Sequence, residues 1–231
     1  MSCSSAHIHT FATGKPSSSL YIIGVLSLVS TLCGIIIVFA YTLTIQPIAR
    51  NLAIITKAAV SQVVPGGESQ AIFAIQPGGN LKPAPDVSGS EPKLFAVYDG
   101  AGKLLGVAIE AAGPGYSDLI RVMYAYSPDR QAVTGFKLVD AKETPGLGDK
   151  IGTDTHFLAN FNDLEANPAE SGLAHPIQTV KYGTKTNPWE IDGISGATVS
   201  SNAVGRIINE SAQRIVPLIE RNLDQIRKGA S

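Results

Sequence analysis

From Leu20 to Leu43 the chain reads LYIIGVLSLVSTLCGIIIVFAYTL, without one charged residue. At ~1.5 Å of rise per residue, about 20 apolar residues cross a hydrocarbon core of ~30 Å, so residues 20–43 predict a transmembrane helix. Tyr21 and Tyr41 stand near its ends, where aromatic rings favour the membrane interface. A cleaved signal peptide has a shorter apolar core, a basic start and a small-residue cleavage site. Here Lys15 is the one Lys or Arg before the run, and Ile45-Gln46-Pro47-Ile48 is a poor cleavage site. The pattern therefore predicts a retained single anchor. Residues 1–19 are rich in Ser and Thr and lack an apolar period, which predicts a flexible tail.

Beyond the anchor the apolar spacing changes twice. From Ala49 to Val64 it continues as a helix, which Pro65-Gly66-Gly67 ends. Pro, Gly and Ser are dense from Gln76 to Pro92, so residues 44–92 read as a membrane-proximal helix and connector. From Lys93 the pattern alternates. KLFAVYD and KLLGVAIEAA flank a turn at 99–102, and DLIRVMYAYS and RQAVTGFKLVDA flank Pro128-Asp129. These are two β-hairpins, and consecutive hairpins predict an antiparallel sheet. A short helix is expected near Asp154–Phe161 and a strand near Ile177–Tyr182. Val204, Ile207, Ile208, Ile215, Val216, Ile219 and Leu223 then follow a 3.6-residue period, which predicts a C-terminal helix that Pro217 kinks or divides. The expected fold class is α+β: one N-terminal transmembrane helix, then an antiparallel-sheet domain over residues 93–231 covered by the C-terminal helix.

Composition removes several function classes. The 231 residues carry a formal net charge of -1 and no Lys/Arg cluster, so no nucleic-acid partner is expected. The two cysteines, Cys3 and Cys33, form no CxxC pair and build no iron–sulfur, zinc or disulfide framework. His7 and His9 near Cys3 read as part of a solvated tail rather than a metal centre. There is no G-x-G-x-x-G fingerprint and no P-loop. Redox chemistry in this chain would need a cofactor held another way.

The run Asp192-Gly193-Ile194-Ser195-Gly196-Ala197-Thr198 lies directly before the C-terminal helix. Ser195 reads as its N-cap, Gly196 and Ala197 allow close backbone approach, and Thr198 falls in the first turn. Free N–H groups and the helix dipole suit that position to a phosphate, with no Lys or Arg required. Helix physics alone equally allows a plain cap. A serine-hydrolase elbow at Ser195 fits worse: Ala197 stands where G-x-S-x-G needs glycine, and His156 and His175 precede the serine.

These residues also carry a resemblance. D-G-I-S-G-A-T-V-S resembles the flavinylation motif of FMN-binding domains, in which a flavin transferase uses FAD to join FMN through its phosphate to the final threonine. Glu143-Thr144-Pro145-Gly146-Leu147-Gly148-Asp149-Lys150 and Gly113-Pro114-Gly115-Tyr116 resemble two further blocks of that family. With a single N-terminal span, the three blocks resemble the G subunits of Rnf electron-transport complexes and, next to them, the C subunits of Na+-translocating NADH:quinone reductase.

The resemblance implies covalent FMN on Thr198, with Ser195, Gly196 and Ala197 around the linkage. It implies a loop of Glu143, Thr144, Pro145, Gly146, Leu147 and Gly148 against the isoalloxazine ring, with Gly115 and Tyr116 nearby. Locally, Thr144-Pro145-Gly146 also reads as a type II turn. Lys150 is a candidate to stabilise an anionic flavin, Trp189 to stack on the ring and Asp192 to position the donor. Their plainer readings are a solvated lysine, a packing residue and a turn residue. The implied function is electron relay, within a membrane complex that moves electrons between ferredoxin and NAD+ and couples this to Na+ or H+ translocation. Its implied partners are the other membrane subunits, the lipid bilayer and the flavin transferase. An anchored assembly or binding module without flavin is the alternative. Arg50 and Lys57 after the span, against Lys15 before it, would place the C-terminal side in the cytoplasm. The resemblance implies the reverse: a single-pass protein of the cytoplasmic membrane with its FMN domain on the extracytoplasmic side.

Overall fold

The computed structural model describes residues 19–76, 78–84 and 92–229. All of the expected 1–19 tail except Ser19 lies outside them. The chain divides after Arg50 into two units. Helix α1 (Ser19–Val63) begins in the first and ends in the second, so the helices expected at 20–43 and 49–64 are one element. In the first unit, Tyr21–Ile45 is exposed along its whole length. Twenty-five residues come to about 37 Å of helix, enough to cross ~30 Å of hydrocarbon. Two of its hydroxyls are met internally. The Thr42 hydroxyl donates to the Phe39 carbonyl at 2.9 Å and that of Thr44 to Ala40 at 2.9 Å, as a helix in lipid requires.

The second unit is built on a seven-stranded antiparallel sheet. Its strands are β1 (Ser69–Ile75), β2 (Leu81–Ala84), β3 (Lys93–Tyr98), β4 (Leu104–Pro114), β5 (Leu119–Ser127), β6 (Ala132–Asp140) and β7 (Leu164–Glu165). Their order is β2-β1-β3-β4-β5-β6-β7. The two expected hairpins are β3–β4 and β5–β6, and β4 pairs with β5 to join them. The sheet starts well ahead of Lys93, however, with β1 and β2. Strand β2 contains Pro83 and lies at the sheet edge, where a missing N–H is tolerated.

Both faces of the central strands are covered, and the two-residue period sorts the side chains between them. Leu94, Ala96 and Tyr98 of β3 face the C-terminal helices, together with Val107, Tyr124 and Tyr126. Phe95, Val97, Ala108, Met123 and Ala125 face Ala59, Val60, Val63 and Val64 at the end of α1. That is why β3 and β5 read as nearly continuous apolar runs. Gly135 in β6 admits the helix: a Cβ there would overlap the Val63 carbonyl oxygen.

After β6 come a 3-10 turn (Gly148–Gly152), α2 (Thr155–Ala159) and four short strands. Strands β8 (Pro168–Ala169) and β9 (Gly172–Leu173) form a hairpin, whereas β10 (Gln178–Val180) and β11 (Glu190–Asp192) pair in parallel. Helix α3 (Thr198–Arg221) runs through Pro217, and the break comes at Asn222, before α4 (Leu223–Lys228). There the Asn222 amide donates to the carbonyls of Leu218 at 2.8 Å and Gly79 at 3.3 Å. Gln225 donates to Leu81 at 3.0 Å, and the Tyr98 hydroxyl donates to the Ile226 carbonyl. These contacts fasten β1, β2 and their turn to the helical layer.

Candidate functional site

The motif 192–198 connects β11 to α3. Helix α3 begins at Thr198, with Ala197 as the flanking residue, and no side chain caps it. Ser195 is therefore not the N-cap. The reason is Gly196, whose φ of 82° is left-handed, so no right-handed helix can start on it. A turn closes instead between Ala197 N–H and the Ile194 carbonyl at 3.1 Å. Ser201 clamps this turn from inside: its Oγ accepts the Ile194 N–H at 3.1 Å and donates to the Ala197 carbonyl at 2.9 Å. The first helical hydrogen bond is Ser201 N–H to Ala197 carbonyl at 2.9 Å. The N–H groups of Thr198, Val199 and Ser200 precede that bond, at the positive end of a 24-residue helix.

Thr198 is exposed and lines a cleft of about 450 Å³, within the range usual for small-molecule sites. The walls are Tyr116, Glu143, Thr144, Leu147, Gly148, Gly196, Ala197, Thr198, Val199 and Ser200. Five large hydrophobic side chains are exposed outside α1 among the described residues, and three of them stand here. They are Tyr116 at 69%, Val199 at 56% and Leu147 at 49%. Apolar surface gathered around one hydroxyl at a helix N-terminus is a mark of a ligand site.

The three sequence blocks converge on this cleft. The expected type II turn forms at 144–147, with Leu147 N–H bonded to the Thr144 carbonyl at 3.1 Å and Gly146 at φ 76°. Gly115 N–H closes a turn onto the Asp118 carbonyl at 2.8 Å, and Arg206 on α3 holds the Pro114 carbonyl at 2.6 Å. The buried Glu143 carboxylate joins the blocks. Its Oε1 accepts the N–H groups of Tyr116 at 2.9 Å and Ser117 at 3.3 Å, and its Oε2 accepts the Ser200 hydroxyl at 2.5 Å.

Other residues named from the sequence lie off the cleft walls. Pro145, Gly146, Gly115 and Ser195 belong to the flanking turns. Lys150 is exposed in the 148–152 turn. Asp192 is buried, and its carboxylate accepts the Gly183 N–H at 2.7 and 3.0 Å with His156 Nε2 at 3.8 Å. It anchors the 181–185 loop. Asn160 ties the same corner together, exchanging hydrogen bonds with the Asp192 backbone at 3.0 and 3.1 Å and accepting from Lys185 at 3.1 Å. Burial pushes the Lys185 pKa down, opposed by the charges of Asp192 and Glu190. Trp189 stacks on His175 at 3.9 Å, with Glu165 3.1 Å from the same imidazole. With His156 at Asp192 and His175 at Glu165, no histidine among the described residues is placed on Ser195 as a base. Val199, Ser200 and Ser201 are site residues that sequence reasoning missed. The signal for the two serines was the polar pair directly after Thr198-Val199.

The residues present fit a flavin mononucleotide. Apolar walls suit a planar ring, and three helix-start amides suit a phosphate without a cation. Comparison with known proteins points the same way. The FMN-binding domain family matches residues 115–213. The G subunit of an ion-translocating oxidoreductase complex from Methanosarcina acetivorans is 36% identical over 106 residues, covering 46% of this chain and 49% of that relative. The corresponding G subunit of Cereibacter sphaeroides is 28% identical over 192 residues, 82% of this chain and 80% of the relative. The chain thus spans about half the length of the first and four fifths of the second. The crystal structure of the C subunit of Na+-translocating NADH-quinone reductase from Parabacteroides distasonis shares the fold. Its TM-score is 0.57 at 16% identity, over 74% of this chain and 94% of that one. Residues 115–213 thus match the FMN-binding domain family, and the chain is similar to Rnf G subunits and shares its fold with the C subunit of the quinone reductase.

Proposed function

We propose that this protein is the membrane-anchored electron carrier of an Rnf-type ferredoxin:NAD+ oxidoreductase complex coupled to Na+ or H+ translocation. FMN is carried covalently on Thr198 in this reading. The observation that supports it is the placement of one exposed threonine hydroxyl at the start of α3, inside a cleft with apolar walls. When bound, FMN supplies one- and two-electron transfer. The chain supplies the setting. The amides of Thr198, Val199 and Ser200 meet the phosphate charge, and Tyr116, Leu147 and Val199 shield the ring from water. The anchor keeps the domain beside the other membrane subunits, on the extracytoplasmic side.

The bond forms at Thr198 Oγ1, which displaces AMP from the FMN phosphorus of FAD. The Oγ1–P bond is made, the anhydride P–O bond breaks, and AMP leaves with the threonine proton. In this reading a separate flavin transferase carries the step out. A covalent link also keeps the cofactor from diffusing away outside the cytoplasm.

Co-expression with a flavin transferase should give a band that fluoresces after denaturing electrophoresis, and Thr198→Ala should abolish it while the fold is retained. Persistent covalent flavin in that variant would rule out Thr198. A wild-type chain with no bound flavin would favour an anchored assembly module instead.

A further inference from the structure

Glu143 touches all three sequence blocks at once, and it also explains two of their glycines. A Cβ at Gly148 would lie 2.6 Å from Glu143 Oε2 and 2.7 Å from Ser200 Oγ. One at Gly115 would overlap Glu143 Oε1 and the Ile120 side chain. Neither glycine is in the left-handed region, so backbone conformation does not demand them. The space taken by the buried carboxylate does.

We propose that Glu143 is a positioning residue: it sets the spacing between the 115–117 turn and the first turn of α3, and so holds Thr198 opposite the apolar wall. Its partners here are the N–H groups of Tyr116 and Ser117 and the Ser200 hydroxyl, and Tyr116 and Ser200 stand in the cleft walls. A carboxylate acceptor strengthens such bonds, which stiffens the two turns against each other. Gln at this position keeps Oε1 as acceptor for the Tyr116 and Ser117 N–H groups and can turn the third bond round, its amide donating to Ser200 Oγ. Ala removes all three. The assignment rests on the FMN reading above, because its effect is on attachment and ring order.

The test uses the full-length chain co-expressed with a flavin transferase. Intact mass gives the fraction loaded after a fixed short induction, and fluorescence anisotropy of the loaded chain gives ring mobility. Glu143→Ala should load at least about tenfold more slowly, since a misplacement of ~1 Å can cost a reacting group up to about a hundredfold, and its flavin should be more mobile. Glu143→Gln should behave as wild type. Gly148→Ala should match Glu143→Ala, because the added methyl pushes the carboxylate and Ser200 apart. Should Glu143→Ala fail to fold, the Gln and Gly148→Ala pair carries the same comparison. Tyr126→Phe, a core change remote from the cleft walls, should lower stability without altering either readout. Wild-type loading and anisotropy in Glu143→Ala, or in Gly148→Ala where that variant stands in, would overturn the assignment. So would a Gln variant as poor as Ala, which would mean direct action of the charge on the ring or donor. A wild-type chain that never takes flavin overturns the functional reading itself, and is told apart by its unmodified mass.

Discussion

Among single residues, Thr198 and Glu143 stand out in the sequence because each sits in a string with a recognisable order, and the structure brings both to one cleft. Ser195 departs from its expected role for a physical reason. Serine before an apolar periodic run is a good N-cap signal, but one left-handed residue at Gly196 moves the helix start two positions on. Ser200 and Ser201 were not legible, because serine in a first helical turn is ordinary and their partners lie far off, at Glu143, or in the preceding turn at Ile194 and Ala197. Tyr126 could not be singled out either: alternation marks it as core, while its bond to Glu220 at 2.9 Å spans 94 positions. Burial, then the charge and hydrogen bond of Glu220, raise its pKa well above the ordinary tyrosine value. The folded state thus holds the phenol proton more tightly than the unfolded chain. That stability is fully present below pH ~10, the unfolded value, and is lost as the pH rises above it. Tyr126→Phe should cost about 1 kcal/mol at neutral pH, the worth of one buried hydrogen bond. It should also make unfolding less steeply dependent on alkaline pH, as urea melts from pH 7 to 11 would show. An unchanged alkaline slope would contradict the assignment.

At the scale of elements, hairpins β3–β4 and β5–β6 and helix α3 were readable because each buries a run long enough to display its period. Strands β1 and β2 were not. The first is seven residues following a Pro-Gly-Gly stop, and the second is four residues that include Pro83. Their place is decided by distant partners, Asn222 between α3 and α4 and Gln225 on α4, rather than by local pattern. Pro217 was expected to kink or divide α3; the helix runs through it, and the division falls at Asn222, whose amide reaches the Gly79 carbonyl. Pattern also gave no hint that α1 reaches the sheet. Its C-terminal turn packs on β6 through Gly135, where only hydrogen fits against the Val63 carbonyl. Gly135→Val should therefore destabilise the domain by ~1–3 kcal/mol, the range for overpacking a well-filled core. It should do so without removing flavin from the remaining folded protein. Urea midpoints compared with flavin absorbance separate the two effects, and an unchanged midpoint would count against this contact.

For the whole molecule, the sequence allowed a membrane segment followed by an α+β domain, and the structure has both. What it could not assign is the side of the membrane, since three lysine and arginine residues near the span are too few to decide it. The proposed function selects the extracytoplasmic side. A phosphatase fused after Ser231 should then be active in intact cells, and a fusion active only after lysis would reverse the topology. The central claim is nevertheless chemical: one flavin, one threonine. Its most direct measurement is fragmentation mass spectrometry of the tryptic peptide 186–206 from the purified, transferase-matured chain. The account predicts a peptide heavier by one FMN less one water, with the fragment series placing the addition on Thr198. An unmodified peptide, or an addition on Ser195, Ser200 or Ser201, would contradict it.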